Sequence, residues 1–145
     1  MSFWEKGYLA TGLAVLIAGA GYFSVVWQQS IGLEQIAPPS WGTFGTYLVV
    51  VIIISAGSFI ALGSWEAAQT KDPETVGEFD ERDRFVNMKS LAAASYITSI
   101  GAYISLVWFL FHHNGDLLFH SLVGALMIGE AAMCFLHVFN YNRAY

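Results

Sequence analysis

Four stretches of about twenty apolar residues each, the length a helix needs to cross about 30 Å of hydrocarbon, dominate this chain and leave little else to fold. They run from Gly7 to Trp27, Thr46 to Trp65, Leu91 to Phe111 and Leu117 to Phe139. Inside lipid every backbone N–H and C=O needs an internal partner, so each stretch is expected to be a helix. Nothing alternates with period two over ten-residue segments, as a membrane barrel requires. The expected fold is therefore all-α: a single integral membrane domain over residues 1–145, folded as a four-transmembrane-helix bundle. Composition points the same way. The 145 residues are 56% apolar and 12% charged, whereas a soluble domain carries about 25% charge; the mean hydropathy is +0.54. A soluble enzyme and a disordered chain are excluded. Six Lys+Arg against a net charge of −5 offer no basic face for nucleic acid. The single cysteine, Cys134, excludes a disulfide framework and a cysteine-based zinc site.

The first span contains Ala18-Gly19-Ala20, an A-x-A-like cleavage pattern. The apolar run continues past it to Trp27, longer than a signal core needs, so the span is read as a retained helix. Orientation follows from the cations. Lys6 precedes span one, Lys71, Arg82, Arg84 and Lys89 lie between spans two and three, and Arg143 follows span four. Segments Gln28–Gly45 and His112–Asp116 contain none. Both termini and the loop Glu66–Lys89 are thus expected on the cytoplasmic side of a prokaryotic inner membrane. Trp27, Trp41 and Trp108 mark the outer ends and Trp4 and Trp65 the inner ones, as amphipathic rings at the headgroup level do.

Gly21-Tyr-Phe-Ser-Val-Val-Trp27 is echoed by Ala102-Tyr-Ile-Ser-Leu-Val-Trp108, and both segments lie in spans that run the same way through the membrane. Two parallel-related helical hairpins would produce such an echo. Each span also carries small residues at close spacing: Ala10, Ala14 and Ala18 in the first, Ser121, Ala125 and Gly129 in the fourth. In lipid, helix packing depends on the close backbone approach such residues allow.

In the polar loop, Pro73 and Gly77 break regular structure. From Asp80 the pattern turns helical. Asp80, Glu81 and Asp83 suit a helix N-terminus, where the dipole favours negative charge, and Asp80 with Arg84 forms an i,i+4 pair. Phe85 and Met88 fall on one face, suited to the inner interface. The run Asp80-Glu81-Arg82-Asp83-Arg84, an apolar pair, and Lys89-Ser90 at the mouth of a span resembles a group of small four-span prokaryotic membrane proteins with a DERD- or DERE-type motif before a transmembrane helix. That resemblance covers about a dozen residues and the four-span layout, and implies no activity. The motif reads either as a cap that fixes the start of span three or as a docking surface for a partner.

Glu130 is the sharpest polar feature, near the middle of the fourth span. An ionised acid at a helix centre costs about 2.5–3.5 kcal/mol by insertion scales, so a protein turns it inward, pairs it, or keeps it protonated. No Lys or Arg lies within a span to pair with it. The expectation is an inward-facing, protonated carboxyl bonded to Ser55, Ser58, Tyr96, Thr98 or Ser99. Cys134 and His137 follow at i+4 and i+7, so all three share a face that leads toward the cytoplasm. At the outer end His112, His113 and His120 cluster in sequence around Asn114-Gly115-Asp116, the weak candidates for a metal or for axial haem ligands; no cofactor is predicted.

Three functions fit these residues. The first is a non-catalytic accessory or regulatory membrane protein, probing a membrane-protein partner or a second copy of itself through its helices or its cytoplasmic loop. The second is a small proton-coupled exporter built on Glu130. The third is a small haem or metal protein built on His112, His113 and His120. No nucleophile triad, metalloprotease or phosphate-loop pattern appears, so catalysis is not expected.

Overall fold

A computed structural model of the chain describes residues 3–69 and 80–143. Four helices account for nearly all of it: α1 (Phe3–Ser30), α2 (Trp41–Gln69), α3 (Glu81–His112) and α4 (Gly115–Arg143). All four are long and apolar enough to cross a membrane. Each contains one of the expected spans and runs beyond it. The polar segment 66–89 is accordingly shorter than its sequence suggests, because Glu66–Gln69 complete α2 and Glu81–Lys89 open α3. Pro73 and Gly77 lie outside the described residues.

Local chemistry sets these boundaries. Pro38 and Pro39 precede Ser40, whose hydroxyl accepts the Thr43 N–H at 3.2 Å and starts α2. Asn114 does the same for α4, accepting the Leu117 N–H at 2.9 Å. At α3, Asp80 and Asp83 make a reciprocal box. The Asp80 carboxylate accepts the Asp83 N–H at 2.7 Å, and the Asp83 carboxylate accepts the Asp80 N–H at 3.3 Å. α3 ends where His113 adopts a left-handed conformation (φ 50°, ψ 27°) and donates its N–H to the Phe109 carbonyl at 2.7 Å.

Three seams hold the helices together, α2–α1, α1–α4 and α4–α3. The order across the molecule is therefore α2–α1–α4–α3, each neighbour antiparallel to the next. α1 and α4 form the centre and bury the largest share of their surface; α3 buries little and α2 has no buried residue. The echoed segments Gly21–Trp27 and Ala102–Trp108 consequently occupy unlike positions, one in a central helix and one in a peripheral helix. The core lies between α1 and α4, on Val15, Tyr22, Val26, Val123, Met127 and Ala131, with Phe44, Tyr47 and Val51 of α2 leaning on it. Glycine permits the closest approaches. A Cβ at Gly12 would stand 2.9 Å from that of Cys134, and one at Gly129 would overlap the Thr98 hydroxyl.

The start of α1 and the end of α4 lie at one end of the molecule (the terminal end), and both short connections lie at the other (the hairpin end). Trp27, Trp41, Trp65 and Trp108 are all exposed, as rings at the two lipid–water interfaces are expected to be.

Candidate functional site

The hairpin end is organised around His120, 3% exposed. The Ala37 carbonyl can only accept, so the ring's Nε2–H donates to it at 2.9 Å, and Nδ1 takes the Tyr22 hydroxyl hydrogen at 2.7 Å. One side chain thereby ties α4 to α1 and to the connection between α1 and α2. Ser30 adds a second tie, its hydroxyl accepting the Ala37 N–H at 2.8 Å. His112 and His113 do not join His120. His112 is exposed and stacks on Trp108 at 4.5 Å; His113 is the exposed left-handed cap of α3. The turn between α3 and α4 thus separates His120 from His112 and His113, and the three do not form a ligand set. Among the described residues no three His, Cys, Asp or Glu side chains are placed to hold a metal, and both ring nitrogens of His120 are engaged by protein groups.

The terminal end gathers a polar cluster from α1, α3 and α4. Tyr8 donates to the Asn87 side-chain carbonyl at 3.1 Å, and Asn140 donates to the Ser90 hydroxyl at 3.1 Å. Arg82 donates to the Tyr141 carbonyl at 2.8 Å and lies 4.3 Å above that residue's ring. Lys6 and Glu66 form an ion pair at 2.7 Å that joins α1 to α2. Glu5, Asp83, Ser90 and His137 are all buried here. The His137 ring packs 4.0 Å from that of Tyr8, and neither of its nitrogens has a hydrogen-bond partner among the described residues.

This cluster decides how much of the Asp80–Arg84 motif remains for a partner. Asp80 and Asp83 close the helix cap and Arg82 clamps the end of α4. Asp80 forms no ion pair with Arg84, since its carboxylate is turned to the cap. Glu81 and Arg84 are the two members left exposed without such a task, next to exposed Phe85 and Met88.

Glu130 differs from expectation. It is exposed, not turned into the bundle, and has no hydrogen-bond or ion-pair partner among the described residues. Cys134 (1% exposed) and His137 (0%) are buried on nearly the same side of α4. The cover over these three positions is not uniform along the helix. At the terminal end Tyr8 of α1 meets Asn87 of α3 and closes over His137; two turns nearer the middle, the face opens sideways at Glu130.

There the carboxyl stands in a groove of about 350 Å³ between α3 and α4. Ser95, Thr98 and Ser99 line its α3 wall, with Gly129 and Met133 beside Glu130 on α4. Ser95 returns its hydroxyl hydrogen to the Leu91 carbonyl at 2.8 Å. Of the hydroxyls expected to bond Glu130, Thr98 and Ser99 share its groove without bonding it. Ser55 and Ser58 belong to α2, two helices away, where the Ser58 hydroxyl donates to the Ile54 carbonyl at 2.6 Å. Tyr96 is 73% exposed.

A larger groove of about 590 Å³ runs between α1 and α2 near the hairpin end, past Ala18, Gly21, Thr43 and Thr46. Its hydroxyls on Ser40, Thr43 and Thr46 are committed to the first turns of α2, and it holds no carboxylate. A third groove, of about 420 Å³, is lined by Glu34 in the connection after α1; the Glu130 groove is the one that sets an unpartnered acid near the middle of an apolar span.

Sequence reasoning missed Tyr22 and Ala37 as partners of His120, and Asn87, Asn140 and Tyr141 as the polar seam at the terminal end. Asn87, Asn140 and Tyr141 carry one available signal, polar groups at the ends of apolar spans. Ala37 carries none, because its backbone carbonyl makes the contact. No protein-family model, curated protein or solved structure matches this chain.

Proposed function

We propose that this protein is a non-catalytic accessory protein of a prokaryotic inner membrane, which binds a membrane-protein partner through the groove between α3 and α4. The orientation reading places both termini and the Asp80–Arg84 motif in the cytoplasm, since all six cations belong to that side of the sequence. The motif also supports the resemblance to the small four-span group, in which it precedes a span. One observation carries the functional reading: a carboxyl near the middle of a membrane helix opens sideways, with no partner of its own. A polar group there is costly in contact with lipid, and a second protein surface removes that cost by hydrogen bonding across the seam.

Cross-linking in native membranes tests the reading. A photo-activated residue at Ser99 is expected to capture a discrete protein species, and Glu130→Ala is expected to abolish the capture. The same residue at Ile53, on the outward side of α2, serves as the reference. Capture of lipid alone from Ser99, or equal capture from Ile53, overturns the proposal.

A further inference from the structure

We infer that the occupant of the α3–α4 groove is a second copy of this chain, seated so that the two Glu130 carboxyls face each other across a twofold axis. The inference rests on the docking reading above and names its partner. Copies inserted in the same orientation and paired side by side are related by an axis along the membrane normal. Residues beside such an axis meet their own counterparts at the same depth. Glu130 therefore finds Glu130 with no adjustment of register.

The chemistry is self-complementary. A carboxylic acid carries one hydrogen to donate and an oxygen to accept, so two of them satisfy each other reciprocally. A copy of this chain supplies that neutral match and no cationic one, because its spans contain no Lys or Arg. The hydroxyl of Ser99 stands beside the carboxyl on the α3 wall and adds a further donor. The relief is self-complementary too. Leu126 and Met133 flank Glu130 as the larger side chains, while the small Ala94, Ser95 and Gly129 leave the trough between α3 and α4 open. At the axis the Leu126–Met133 edges of the two copies meet, and the small residues beside them permit close backbone approach.

The experiment uses the full chain carrying two different tags, co-expressed, with Ser99→Cys and Cys134→Ala. Membranes are oxidised before solubilisation. The expected product has twice the mass of the 15.9 kDa chain and carries both tags. Glu130→Ala is expected to cut its yield about ten-fold, the loss of reciprocal hydrogen bonds being worth roughly one decade in association. Glu130→Gln is expected to retain most of it, since an amide also donates and accepts. Ile128→Cys, on another face of α4, is the reference position.

Equal yields from Ser99→Cys and Ile128→Cys signify random collision and overturn the inference. Cross-linking of Ser99→Cys to a different protein alone also overturns it, but leaves the docking reading standing. Absence of any cross-linked protein overturns the inference, and absence of photo-capture from Ser99 as well overturns both. Should Cys134→Ala disturb folding, Ser99→Cys is read in the native background, where Cys134 is 1% exposed and shielded from oxidant.

Discussion

Replacing His120 by Ala removes two hydrogen bonds that bind three parts of the chain, one to Tyr22 of α1 and one to the Ala37 carbonyl. Hydrogen bonds between membrane helices contribute about 0.6 kcal/mol on average and up to about 1.7, and those in proteins generally about 1, so the two together are worth about 2 kcal/mol. Loss of a 3% exposed ring adds about 1 kcal/mol of packing, for a total near 3 kcal/mol. Tyr22→Phe removes one bond and is expected to cost about 1 kcal/mol. In the His120→Ala background that bond is already gone, so the second substitution should cost almost nothing, a coupling energy of about 1 kcal/mol. Reversible unfolding in mixed detergent micelles measures all four proteins of the cycle. Limited proteolysis between Ile31 and Ile36 gives a local readout, expected to accelerate in His120→Ala because the connection loses its anchor. Strict additivity of the two substitutions, or a His120→Ala protein within about 0.5 kcal/mol of the parent, would refute the reasoning.

Gly129→Val drives a branched side chain into Thr98 and is expected to destabilise the α3–α4 seam by about 1–3 kcal/mol, measured by the same unfolding assay. Asp80→Ala removes the cap of α3 and should cost about 1 kcal/mol, with faster amide exchange confined to the first turn after Glu81. Arg82→Ala releases the Tyr141 carbonyl and ring and should expose the end of α4 to carboxypeptidase, whereas exchange along α1 stays unchanged. His137→Phe keeps the stack on Tyr8 while deleting two ring nitrogens without protein partners; replacing such a group by an apolar one of similar shape is close to neutral, so its melting temperature should match that of the parent.

The spans were legible because apolar length is a one-dimensional property. The start of α3 was legible from its acidic first turn at Asp80, whereas the caps at Ser40 and Asn114 went unread because an apolar-length criterion starts each span several residues later. The lateral order of the helices was not, since every span carries small residues and each could pack against any other. That ambiguity explains Glu130. Periodicity groups it with Cys134 and His137, but burial depends on which neighbour covers each position at its depth. The His137 end is closed by Tyr8 and Asn87, residues from two other helices. The histidines show the converse failure. His113 and His120 are seven positions apart in sequence, yet a left-handed cap and a new helix start between them turn one outward and the other inward.

The bare flanks of α2 have a consequence for how this sequence is free to drift. With no buried residue and one extensive seam, on α1, most of its positions answer to oiliness alone, since lipid tails adapt to any apolar outline. A saturation-mutagenesis survey should therefore find α2 permissive to exchange among Val, Ile, Leu and Phe, while α1 and α4 reject changes of a single methyl group. Inheritance, on that view, is written chiefly along the two inner rods.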